Sequence, residues 1–198
     1  GESAGGGLVF ATLLRLRERD RYAVIEMGMN HPGEIDYLTH LTRPTIALIN
    51  NAAAAHLAGL GSVEAVARAK GEIYAGLGDD GIAIVNTDDD YASLWRELAG
   101  RRRIISFGLD KPADVSAECM LGTDGSTIHL HTPQGGISMR LSLLGRHNVM
   151  NALAAGSAAL AQAPNDPFEG VNRAIFGFNE ALDSAVLTPV AKGYQNVV

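Results

Sequence analysis

Four short apolar runs constrain this chain more than anything else in it: residues 22–26 (YAVIE), 45–50 (TIALIN), 81–86 (GIAIVN) and 103–107 (RIISF). Each is too short for a buried helix and carries branched aliphatic residues, so each reads as a strand buried on both faces. Helical patterns stand between them, at 34–41, from Ser62 onward and at 91–99. This alternation predicts an α/β fold, a mostly parallel sheet flanked by helices. Three of the runs end in a polar residue: Glu26, Asn50 and Asn86. Open parallel sheets bind ligands beyond the carboxyl ends of their strands, so these residues are expected along one edge. Polar residues also simply mark strand ends, so the convergence is not specific.

The helix that opens at Ser62 raises a sharper question. At 3.6 residues per turn Val63, Val66, Ala67, Ile73, Tyr74 and Leu77 form one apolar arc, and Lys70 falls in its middle. Glu64, Arg68 and Glu72 lie away from that arc. A lysine centred on a buried stripe must snorkel, pair, or be chemically used.

After Asp110 the pattern changes. Residues 115–121, 126–131 and 137–143 alternate or mix polarity, and Thr123-Asp124-Gly125 and Pro133-Gln134-Gly135-Gly136 separate them as hairpin turns. A small antiparallel sheet appended over 110–144 is therefore expected. His129 and His131 lie two apart on one strand face; with no third ligand nearby they read as exposed strand residues rather than a metal pair. Residues 145–161 form an alanine-rich helix, with Asn148 and Asn151 one turn apart beside Ala152 and Ala155. Asn148 can cap the amino end, or the two amides can face a flat polar ligand such as a nucleobase. A last helix is expected at 168–176 and a weak strand at 185–190.

Composition narrows the function. The net charge is −6 and the only basic run is Arg101-Arg102-Arg103, which argues against a nucleic-acid surface. The single cysteine, Cys119, excludes an internal disulfide and a cysteine-rich metal site, and fits a reducing cytoplasm. No apolar run is long enough for a membrane span or a signal peptide. Gly76-Leu77-Gly78 follows a helix rather than a strand, so a dinucleotide-binding fingerprint is absent. The expected division is a flexible amino-terminal segment over 1–12, including the glycine-rich residues 1–7, one main domain over 13–180, and a tail over 181–198.

Taken together, YAVIEMGMNHPGEI, LTRPTIALINNAAAAHLAGLGSVEAVARAKGEIY and LLGRHNVMNALAA closely resemble the central, ATP-binding domain of the Mur ligase family over roughly residues 13–178. The resemblance implies a P-loop-like fold and an ATP-dependent amide ligase of peptidoglycan synthesis. It is greatest to the member that joins D-alanyl-D-alanine to a UDP-MurNAc-tripeptide. ATP and the UDP-MurNAc-peptide are the partners it implies, and Mg2+ the metal. Residue by residue, Glu26 matches the strand-end carboxylate that binds magnesium, and His56 a second magnesium-associated side chain. Lys70 matches the lysine that is carbamylated in several members, an anionic group that counts with the metal ligands; Lys70 and His56 are the catalytic candidates. Asn148 and Asn151 match the pair that contacts adenine. Asn50 and Asn51 lie in a substrate-side loop, and His31 shapes the loop after Glu26.

Three family parts have no counterpart in the sequence. No glycine is followed by Lys-Ser or Lys-Thr, so the phosphate loop is missing. Where a phosphate-contacting Gly-Arg is expected the chain reads Ala181-Leu182-Asp183-Ser184, and no acidic ribose-binding segment follows. The flanking domains are absent as well. Such a chain is expected to be inactive by itself, or to serve as a non-catalytic scaffold or partner-binding module. Without a first strand beside residues 22–26, an exposed sheet edge is a route to a homodimer.

Overall fold

A computed structural model describes residues 4–53 and 57–162. Two compact units divide the chain, residues 1–105 and 106–198, and the boundary falls inside a strand. The first unit opens with α1 (Ala4–Arg15), followed by a coil and α2 (Glu34–Thr42). Then come β1 (Ile46–Ile49), a short α3 (Leu57–Leu60), α4 (Val63–Gly71) with a 3-10 turn over Glu72–Gly76, β2 (Ile82–Asn86) and α5 (Ala92–Ala99). β3 (Arg103–Phe107) completes a three-stranded parallel sheet in the order β1-β2-β3. The α/β reading therefore holds, with Ile46 to Ile49 in register with Ile82 to Val85.

Two expectations along this unit fail. Residues 22–26 join no ladder; Tyr22 is exposed and Val24 is 96% exposed. An apolar run becomes a strand only when a neighbour takes up its backbone groups, and residues 22–26 pair with none of the three strands. The flexible lead-in is also shorter than expected, because α1 begins at Ala4 and contains Gly5 to Gly7. Glycine disfavours helix by about 1 kcal/mol each relative to alanine, which is why composition alone predicts coil there.

One core cluster of this unit packs on one face of the sheet, and a second gathers Met29, Ile35, Val66 and Ala69. Ala47, Ile49, Ala83 and Val85 pack with Ala67, Tyr74, Leu77, Trp95 and Ala99 from the covering helices. The two large polar-tipped members each find a carbonyl: Trp95 Nε1 donates to Ala67 O at 2.9 Å and Tyr74 OH to Ile84 O at 2.9 Å. Burial pushes the Tyr74 phenol far above its ordinary range. The basic triplet is partly structural, since half-buried Arg102 donates to Leu77 O at 2.9 and 3.2 Å and so ties α5 to the end of the 3-10 turn.

The second unit contains β4 (Ser116–Leu121), β5 (Ser126–Thr132) and β6 (Gly135–Leu141), an antiparallel sheet in that order, followed by α6 (Arg146–Gln162). The expected hairpins are present, the second with a two-residue Pro133-Gln134 connection. Ser126, Ile128 and Leu130 point inward from β5, and Gly156 of α6 lies against Leu130. The helix and strand expected at 168–176 and 185–190 lie outside the described residues.

Candidate functional site at the carboxyl edge of the parallel sheet

β1 and β2 end side by side, so Asn50 and Asn86 are neighbours at the carboxyl edge. Asn86 Nδ2 donates to Asn50 O at 2.8 Å, and Asn86 Oδ1 accepts from Asp88 N at 2.9 Å. One buried amide thus fixes both strand ends. Asp89 continues the arrangement: Oδ2 accepts from Ala52 N and Oδ1 from Tyr91 N, both at 2.9 Å. The loop after β1 is therefore strapped to the loop after β2 by side chains of the latter.

Lys70 reaches this loop from α4. Ser62 caps the helix by accepting from Ala65 N at 3.1 Å, as its position before the apolar arc predicts. Val66, Ala67, Tyr74 and Leu77 are buried and Lys70 is half-buried. Its Nζ donates to Asn51 O at 2.7 Å. Burial lowers the Lys70 ammonium from its ordinary 10.5, and nearby Asp89 opposes that shift. An amine with a lowered pKa is free base more often, hence a better nucleophile. Between its native value and 10.5 the unfolded chain holds more proton on this group than the native one, so stability rises with pH through that window. Lys70→Met is expected to flatten that rise, measured as denaturant midpoint against pH.

Glu26 is exposed and lies in coil, because its run forms no strand. His56 lies outside the described residues. Asn51 is exposed, and its contribution is a backbone carbonyl rather than its amide. Of the oxygen donors Mg2+ prefers, Glu26 is of the right chemical type, but Lys70 is a hydrogen-bond donor as an amine. Among the described residues no group of three or more His, Cys, Asp or Glu side chains is arranged to hold a metal.

Glu72 is the residue that helical spacing misses. Its carboxylate accepts from Gly33 N at 2.9 and 3.1 Å and from Asp36 N at 3.1 Å, which caps the amino end of α2 from 39 positions away. Glu34 accepts from Asn30 N at 2.6 Å and from His31 N at 3.3 Å, and the Asn30 bond chiefly holds its carboxyl below the ordinary range. His31 lies 3.4 Å from Glu34 Oε1, a loop-shaping contact. Glu72→Gln is expected to cost about 1 kcal/mol, read from urea unfolding, because a charged cap becomes a neutral one.

In the second unit Asn148 and Asn151 sit in the first turns of α6. Asn148 Nδ2 donates to Leu144 O at 2.8 Å, so the side chain closes the entry to the helix from within rather than serving as its amino-terminal cap. Asn151 Nδ2 lies 3.4 Å from Asn148 Oδ1. The two amides form one half-buried polar patch over buried Ala152.

Residues 8–159 match the family model of the Mur ligase middle domain. The chain is 48% identical over 150 residues to UDP-N-acetylmuramoyl-tripeptide–D-alanyl-D-alanine ligase of Haemophilus influenzae, covering 75% of this chain and 32% of that one. The Escherichia coli ligase of the same name is 46% identical over 151 residues, covering 75% and 33%. Crystal structure I of MurF from Acinetobacter baumannii superposes with a TM-score of 0.79 at 41% identity, covering 84% of this chain and 36% of that one. The chain thus spans about a third of the length of these relatives. Residues 164–198 match a different family model, that of the MlaA lipoprotein. Residues 181–184, where the ligase arginine is expected, fall inside that second match. Among the described residues no helix is long and apolar enough to cross a membrane. With the parallel sheet, the hairpins and most of α6 within the matched span, the chain belongs to the Mur ligase family through its middle domain.

Proposed function

We propose that this chain carries the ATP-binding core of an ATP-dependent amide ligase of cytoplasmic peptidoglycan synthesis, which joins D-alanyl-D-alanine to a UDP-MurNAc-tripeptide. The observation that carries this reading is Lys70, a half-buried lysine of lowered pKa held at the carboxyl edge of the sheet by Asn51 O. Its free amine adds CO2: the nitrogen lone pair forms the C–N bond and one N–H proton leaves to solvent. The product is an anionic carbamate of the oxygen-donor type that Mg2+ prefers. Glu26 and His56 are the other proposed ligands of that ion, which when bound would neutralise phosphate charge. Asn50 and Asn51 shape the substrate side, and Asn148 and Asn151 are the proposed adenine contacts. The main domain is proposed to run over residues 13–180.

The 198 residues hold no phosphate-loop motif. Phosphoryl transfer depends on positioning and charge neutralisation, so the chain alone is proposed to be inactive. A non-catalytic scaffold is the second reading, favoured by the unrelated match over residues 164–198. An exposed sheet edge is the proposed contact for a homodimer.

Calorimetric titration with ATP and magnesium separates the two. Saturable one-to-one binding, weakened about tenfold by Asn151→Ala through loss of a base contact, supports the nucleotide core. No heat up to millimolar ATP supports the scaffold. Lys70→Ala is expected to shift the melting temperature by no more than about 2 °C, as a functional rather than structural lysine would. A larger drop would make Lys70 a structural residue.

A further inference from the structure

The solvent face of the antiparallel sheet carries a second arrangement unrelated to the ligase reading. β5 presents Thr127, His129 and His131 outward. The two imidazoles meet edge to face, with centroids 4.7 Å apart and planes at 77°. A ring nitrogen bound to zinc at about 2.0–2.1 Å places its ring centroid about 3.2 Å from the metal. Two such rings subtending roughly 90–110° at one ion have centroids about 4.5–5.2 Å apart. The observed centroid separation falls within that interval.

A hydrogen bond engages one nitrogen of His129 and leaves the other open. Its Nδ1 lies 2.7 Å from Ser138 Oγ, the register partner on β6. With that hydroxyl accepting Nδ1–H, Nε2 carries the lone pair, the arrangement by which outer partners orient metal-binding imidazoles. Nε2 lies over Gly136, which is the register partner of His131. A Cβ at position 136 would stand 3.2 Å from Nε2, so glycine keeps that approach open. Glu118, exposed and paired with His129 on β4, places a carboxylate on the same face.

We propose that His129 and His131 form a two-imidazole site for a divalent transition metal such as Zn2+ or Ni2+, with water in the remaining positions. The ligand type excludes Mg2+ and Ca2+, which take oxygen donors. Edge-to-face contact between two rings without metal is the competing account.

The test is equilibrium titration of the full chain with Ni2+ and Zn2+ near neutral pH, with circular dichroism to confirm that each variant is folded. One equivalent is expected to bind the wild type at this site and to broaden or shift the Nε2 signals of His129 and His131. His129→Ala and His131→Ala should each weaken that equivalent more than about tenfold, and Ser138→Ala about tenfold, as loss of an orienting partner does. Gly136→Val should block the site with both ligands intact. Unchanged affinity in both histidine variants would place the metal on other histidines and overturn the proposal, as would the absence of saturation at millimolar metal.

Discussion

Trp95→Ala is expected to lower stability by about 3–5 kcal/mol, the largest effect of any single substitution proposed for the parallel-sheet unit. Trp95 is fully buried among Ala67, Tyr74, Val85 and Ala99, so truncation removes an indole and leaves a cavity that the neighbouring strands cannot collapse into. It also removes the donor to Ala67 O. That carbonyl lies one turn before Lys70 on α4, so the loss propagates to the carboxyl edge. Denaturant unfolding reads the stability, and the Lys70 pKa, followed by NMR, reads the local consequence. A return of that pKa toward 10.5 would show that Trp95 seats α4 against the loop at Asn51. A loss below 1 kcal/mol would mean that the helix is held by other contacts.

Gly76→Val is expected to cost about 3 kcal/mol through overpacking. A Cβ at Gly76 would stand 2.3 Å from Thr39 Oγ1, 2.5 Å from Thr39 O and 2.6 Å from its carbonyl carbon. Two of these atoms are backbone of α2 and cannot rotate aside. Relief requires the 3-10 turn to lift from α2, which breaks the 2.7 Å bond from Thr39 Oγ1 to Ile73 O. Gly71 makes a useful contrast, because its nearest neighbour is the flexible Leu98 Cδ1. Gly71→Ala should therefore cost less than Gly76→Ala, and thermal unfolding of the pair checks the argument. Equal costs would show that α2 and the 3-10 turn can part without penalty.

Glu72 links these stability arguments to function. It sits two residues after Lys70, and its carboxylate holds the loop at Gly33 and the start of α2. The lysine, the cap and the glycine contact at Gly76 are thus consecutive parts of one short segment.

Much of this was legible in the sequence. The three strands of the parallel sheet, the hairpins of β4 to β6 and the span of α6 follow from local periodicity and turn chemistry, which depend only on neighbouring residues. The inward position of Lys70 follows from helical periodicity, and the outward face shared by His129 and His131 from the two-residue period of a strand. What periodicity specifies is a face, and it does not name the partner of that face. Residues 22–26 have the composition of a strand yet form none, because a ladder needs a second chain segment that local pattern cannot supply. Glu72 reads as a solvent residue yet caps a helix 39 positions away, and Asn86 ties two strand ends together from 36 positions away. The 4.7 Å approach of two imidazoles likewise depends on Ser138 and Gly136 of the next strand. These are non-local hydrogen bonds and contacts, and only the tertiary structure brings their members within reach.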